Sequence, residues 1–223
     1  MNSLFKSLIV GAIVGISAFG SFPSNVKAEI FVVEDQENRF SMSFPDTWAK
    51  IINQKPDDKL TIAAQGTNEF VECRVRVRNE ERYLIYPENL AAEVQRQYIS
   101  RDFWDHYLGE YDAAEIESFK DDSGLGYGHA SMVEAAYETA GGKIIRKRGL
   151  MFASVYGKNL FILECSSEES VYDKWRPAFL SIVKSIDFQR VSHPERQGHY
   201  RDFKGQEEEV NVLGPRELDE YKL

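Results

Sequence analysis

The sequence predicts an α+β fold, an antiparallel sheet accompanied by a few helices, on three observations. Val71, Cys73, Val75 and Val77 alternate with Glu72, Arg74, Arg76 and Arg78, the period of two that marks a strand with one apolar face. Between residues 110 and 165, apolar-rich runs are divided by DDSG at 121–124, by Gly141-Gly142 and by GKN at 157–159. Gly, Asp and Asn supply the backbone angles that tight hairpins need, so this stretch reads as a meander. Tyr172, Trp175, Phe179, Ile182, Val183 and Ile186, by contrast, form a broad stripe at helical spacing.

The first 28 residues differ from the rest. Lys6 precedes an apolar run of 12 residues, Leu8 to Phe19, and Val26 and Ala28 stand at the −3 and −1 positions of a cleavage site before Glu29. This pattern reads as a secretory signal peptide over 1–28. The run is shorter than the roughly 20 residues that cross a bilayer, so no transmembrane segment is expected in the mature chain. The expected location is periplasmic or extracellular. A single domain follows over 29–188, since the length suits one good core and not two large ones.

Within that domain the strands begin with Phe40, Met42 and Phe44 alternating with Ser41 and Ser43, and continue through 48–52, 60–64 and 71–78. A helix is expected next. Pro87 suits its first turn and Glu88 its N-terminal dipole, while Leu90, Ala91, Val94 and Tyr98 share a face. Phe103, Trp104, Tyr107 and Leu108 either extend it or form a second short turn, with Gly109 as the stop. The meander runs through 110–119, 127–138, 143–156 and 160–165. Residues 150–156 carry apolar groups on both sides, as a covered central strand does. Propensity alone would also allow a helix at 131–138. Ser166 and Glu169 have capping-box spacing for the last helix, and Pro177 should kink or restart it. Residues 189–223 are polar, charged and aperiodic, and read as a tail too poor in apolar residues to pack.

Two stretches carry a family resemblance. FSMSFPDTW at 40–48 is an alternating strand, a Pro turn and a Trp; WRPAFLSIVKSIDF at 175–188 is an amphipathic helix running into Ser185 and a final apolar pair. Together, and with the element order over about 30–188, they resemble the PsbP-like and Mog-type superfamily. The resemblance implies an α/β/α sandwich around an antiparallel sheet. It also implies a non-catalytic accessory subunit, adaptor or binding module, because the superfamily has no catalytic motif that can be carried onto residues here.

Charge and motifs narrow the function. Lys6 and Lys27 are the only charged residues of the leader, so the mature chain keeps 25 of the 27 basic residues against 36 acidic ones, a net charge of −11. That balance argues against nucleic acid, whose phosphates need excess cation. No HExxH, GxSxG or calcium-loop pattern is present, and no enzyme activity, cofactor or metal is expected. Gly124, Gly126 and Gly128 mimic a phosphate loop, but DDSG before and a strand after make them a hairpin. His193 and His199, with Glu195 and Asp202, could hold a metal weakly in the tail, where solvated side chains are the simpler reading. Cys73 and Cys165 are the only cysteines; in an oxidising compartment they are expected to pair, two buried thiols being the alternative.

The most distinctive polar feature is cationic. Arg74, Arg76 and Arg78 lie on one strand face, and Arg146, Lys147 and Arg148 follow later. If the two strands are neighbours, these side chains merge into one patch that would dock an unidentified acidic protein partner or an anionic lipid head group. The competing reading is a solvated face paired to local glutamates. A small-ligand or lipid binder, with a Tyr- and Phe-lined pocket between sheet and helix, is the alternative function. A monomer is the simplest expectation.

Overall fold

The computed structural model describes residues 29–86, 90–139 and 144–189. The leader expected at 1–28, the helix start expected at Pro87 and Glu88, and the tail expected beyond Gln189, with its histidines, lie outside these residues.

In order, the chain forms β1 (Ile30–Asp35), β2 (Phe40–Pro45), β3 (Trp48–Ile51), β4 (Asp58–Ala64), β5 (Glu72–Asn79) and a 3-10 turn at Glu81–Ile85. Next come α1 (Ala91–Tyr98), α2 (Arg101–Leu108), β6 (Asp112–Leu125), β7 (Gly128–Glu138), β8 (Arg146–Tyr156), β9 (Asn159–Glu168), α3 (Tyr172–Ser185) and β10 (Asp187–Phe188). An antiparallel seven-stranded sheet has the order β3-β4-β5-β9-β8-β7-β6, and a small sheet has the order β1-β2-β10. β9 is therefore the middle strand of the large sheet.

Both faces of that sheet are covered, giving three layers. On one side Cys73, Val75 and Val77 of β5 and Phe161, Leu163 and Cys165 of β9 pack with Phe40, Met42 and Phe44 of β2 and Phe179, Ile182 and Val183 of α3. On the other, Leu160 and Ile162 of β9 pack with Met151 and Ala153 of β8, Val133 and Ala135 of β7, and Ile99, Trp104 and Leu108 of the α1–α2 layer. The period of two in each strand sorts its residues between these layers.

The two stretches that carried the resemblance touch one another. The Trp48 ring meets Trp175 and Phe179 edge-on, at centroid distances of 6.0 and 6.4 Å. Ser185 at the end of α3 accepts the Ser43 N–H at 3.0 Å and donates to the Ser43 carbonyl at 2.8 Å. α3 is thus joined to β3 of the large sheet by aromatic packing at one end and to β2 of the small sheet by hydrogen bonds at the other.

Local expectations are refined in four places. The 91–108 segment is two helices, because Ile99 is buried and Ser100 takes an extended backbone between them. Residues 131–138 are strand, since β7 is hydrogen-bonded on both sides, to β6 and β8. Ser166 does not cap a helix: it is a buried strand residue of β9, and α3 starts at Tyr172. α3 runs through Pro177 without a break, after a short 3-10 turn at Glu169–Val171. The glycine stretch is a packed hairpin. Gly126 has φ of +56°, and a Cβ on Gly128 would lie 2.2 Å from the Ser154 hydroxyl oxygen.

Cys73 and Cys165 face each other in the β5–β9 register and are joined by a disulfide across a sequence separation of 92. Closing a loop of that length removes chain entropy from the unfolded state worth about 4 kcal/mol. The Cys73→Ala/Cys165→Ala double variant should lose stability of that order in urea denaturation. Thiol titration of the unreduced, denatured wild-type protein should find no free thiol, and finding two would refute the bridge.

Candidate functional site

The polar centre of the molecule lies between the large sheet and the α1–α2 layer. Because Cys73, Val75 and Val77 face α3, the alternation sends Arg74 and Arg76 to the opposite face. There they meet Glu164 of β9, which lies directly opposite Arg74 in the register and is buried. Three tyrosine hydroxyls converge on this carboxylate. Tyr137 donates to Oε1 at 2.8 Å, Tyr107 to Oε2 at 3.0 Å, and Tyr111 lies 3.2 Å from both oxygens. Around them, Arg74 pairs with Glu72 at 2.8 Å, Lys147 reaches the same Glu72 at 2.8 Å, and Arg76 Nε donates to Asp58 at 2.9 Å. The Arg76 guanidinium also lies 5.4 Å from the centre of the Tyr107 ring.

The electrostatics follow from this arrangement. Burial alone would raise the Glu164 carboxyl. Arg74, then the Tyr137 hydrogen bond, then Lys147 and Arg76 outweigh it and hold the group below its ordinary value of 4.5. Glu164 in turn raises Arg74 above the usual guanidinium range. Burial, reinforced by Glu164, pushes the Tyr107, Tyr111 and Tyr137 phenols up, so they stay neutral donors.

The expected cationic patch is not formed. β5 and β8 are not neighbours, because β9 lies between them. Arg74, Arg76 and Lys147 are buried under the α1–α2 layer. Arg148 belongs to the opposite face, where its guanidinium lies 4.6 Å from the centre of the Tyr172 ring and pairs with Glu117 at 2.6 Å. Arg146 is bound to Glu169 at 2.6 Å, ahead of α3. Of the β5 arginines only Arg78 is substantially exposed, and it pairs with Asp57 at 2.7 Å. An isolated strand has an outer face, whereas a sheet covered on both sides has none, and this is why the expected three-arginine surface is not exposed. Between sheet and helix, where a Tyr- and Phe-lined ligand pocket is the alternative expectation, the hydroxyls of Tyr107, Tyr111 and Tyr137 are committed to Glu164.

Sequence reasoning missed Glu164, Tyr107, Tyr111, Tyr137 and Asp58 as members of one constellation. A signal existed: Glu164 is a lone acid inside the apolar run LFILEC, and a strand with three arginines was the obvious source of a counter-charge.

Outside this centre, exposed apolar side chains gather in two places. Ile30, Phe31 and Val32 are 48%, 48% and 64% exposed along β1. Leu84, Ile85, Tyr86 and Leu90 are exposed around the start of α1. Among the described residues β1 pairs with β2 alone, so its other edge presents open backbone groups.

Comparison with solved structures settles the architecture. The chain is similar to cyanobacterial PsbP (CyanoP) from Synechocystis sp. PCC 6803, with a TM-score of 0.51 and 14% identity over 77% of this chain and 99% of that one. The fold is PsbP-like. Lower similarity is found to LpqN of Mycobacterium tuberculosis, involved in cell envelope biogenesis (TM-score 0.47, 13% identity, 73% of this chain and 91% of that one). The Saccharomyces cerevisiae Ran-binding protein Mog1p gives a TM-score of 0.43 and 9% identity over 73% of this chain and 96% of that one. No family model matches the chain, and no curated protein matches it. Within the PsbP-like fold the Glu164 centre occupies the middle strand, and no described helix is long and apolar enough to cross a membrane.

Glu164→Gln tests the centre. Breaking a buried charge network strands its partners, so the variant should lose about 3 kcal/mol at neutral pH. Because the folded carboxyl titrates below 4.5, wild-type stability should be fully present above that value and fall as the pH drops through the folded one. Urea midpoints measured from pH 7 to pH 3 should show a shallower acid limb in the variant. Equal acid limbs in the two proteins would show that Glu164 does not carry this dependence.

Proposed function

We propose that this chain is an exported, non-catalytic binding module that engages a protein partner by strand addition along β1. The observation that carries the reading is the β1 edge itself. It combines an open row of backbone donors and acceptors with exposed Ile30, Phe31 and Val32. Natural sheets ordinarily protect such an edge with charge, proline or a covering element. Here Glu34 and Asp35 protect only its far end. Added strands gain affinity from main-chain hydrogen bonds and specificity from alternating side chains, and β1 offers both.

Two further features support the reading. The disulfide within the core suits an oxidising compartment, in keeping with the leader at 1–28. The charged groups most apt for chemistry, Glu164, Arg74 and Arg76, are turned inward, where Glu164 accepts from Tyr137, Arg74 pairs with Glu72 and Arg76 Nε donates to Asp58, so they support the fold rather than a reaction. A partner at β1 would not need them.

A photo-crosslinking residue in place of Val32 should capture one partner from an envelope extract. The Phe31→Asp/Val32→Asp variant should lose that capture while its melting temperature moves little, since both side chains are exposed. Capture that persists in the double variant would remove β1 from the account. A crosslinked adduct that is only a second copy of the chain would replace the partner by self-association.

A further inference from the structure

Arg76 is held in an unusual state for a buried arginine. Its side chain is 0% exposed. Nε is satisfied by Asp58, yet Nη1 and Nη2 are both buried without a hydrogen-bond partner. A guanidinium carries five donors in a fixed fork, and four of them sit on these two nitrogens. Donors left unmade in the interior are a standing cost unless something arrives to accept them.

The surroundings of Nη1 are informative. Oε2 of Glu110, in the α2–β6 connection, stands 3.7 Å from Nη1, beyond hydrogen-bond reach. The same oxygen is bonded to Lys55 from the β3–β4 loop, and the two side chains are 39% and 40% exposed. A partly exposed ion pair therefore lies within 3.7 Å of a buried, unsatisfied fork. Such a pair contributes little to stability and is readily exchanged.

We propose that Arg76 is the floor of a binding site for a small monocarboxylate, and that Glu110 stands at its mouth as an internal competitor. The incoming carboxylate displaces Glu110 into solvent and accepts from Nη1 and Nη2, the two-bonded geometry in which a guanidinium fork matches two carboxylate oxygens. Charge selects the ligand. Arg76, Lys55 and Arg78 balance Asp57, Asp58 and Glu110 in the resting protein. Removal of Glu110 leaves three cations against two carboxylates, which fits one negative charge and disfavours a doubly charged phosphate beside Asp57 and Asp58. This site is separate from β1 and does not rest on the partner reading.

The experiment is an NMR titration of the full mature chain with propionate, following the Arg76 side-chain N–H signals and the backbone amides of Lys55 and Glu110. Glu110→Gln removes the tethered competitor at an exposed position, so it should fold normally. It should bind propionate about threefold more tightly than the wild type, because it removes the carboxylate that partly neutralises Nη1 from 3.7 Å, an exposed ion pair of modest strength. Inorganic phosphate should bind the variant more weakly than propionate. The Glu110→Gln/Lys55→Gln double variant should keep the tighter binding, since Arg76 supplies the fork. Equal affinity of wild type and Glu110→Gln would overturn the competitor role. Loss of binding in the double variant would assign the anion to the freed Lys55 instead of Arg76, and phosphate binding as tight as propionate would overturn the ligand class.

Discussion

A carboxylate placed in the middle strand of a covered sheet has no water to turn to, and Glu164 is in that position. Removing an ion from water costs several kcal/mol even after relaxation, so the surroundings must supply both counter-charge and hydrogen bonds. The protein supplies them from four directions. Arg74 comes across the β5–β9 ladder, Tyr137 from β7, Tyr107 from α2, and Tyr111 from the connection into β6. These segments are distant in sequence and have to be correctly docked for the carboxylate to be satisfied. The constellation thereby ties the position of α2 and the start of β6 to the centre of the sheet.

The neighbouring residue performs the equivalent task for the other layer. Cys165 follows Glu164 in β9, so its side chain points to the α3 face, where it is bonded to Cys73. One dipeptide in the central strand thus anchors both faces, one side by a charge network and the other by a covalent bond. The β5–β9 register serves both, since it sets Arg74 against Glu164 and Cys73 against Cys165. A slip of one residue would place the cysteine among the tyrosines and the carboxylate in the apolar layer against α3.

With so much polarity turned inward, the outer surface acquires its character from other groups. Apolar side chains remain on β1 and around the start of α1, where no described element covers them, while exposed cations such as Arg78 and Arg146 are paired with local acids. Recognition through main-chain pairing at an edge is compatible with this distribution, because it asks little of charged side chains. The Lys55–Glu110 pair beside Arg76 is an exception, a place where partly exposed charges from two loops come close to the inner polar layer.

The sequence by itself determined most of the element types and the apolar strand faces. Period two in 71–78 and the helical stripe of 172–186 are local consequences of which residues must avoid water, and they hold in the folded chain. The resemblance carried by 40–48 and 175–188 pointed to the PsbP-like fold, and those stretches pack together through Trp48 and Trp175. The tertiary structure alone decided where the charges lie. Alternation shows that Arg74 and Arg76 share a face, but not that α1 and α2 cover it, nor that β9 separates β5 from β8. The break at Ile99–Ser100 and the late start of α3 were settled in the same way, by burial of Ile99 and Ser166. Periodicity within one strand records which side of the strand is apolar, whereas the environment of the other side depends on residues far away in the chain, and no local pattern contains that information.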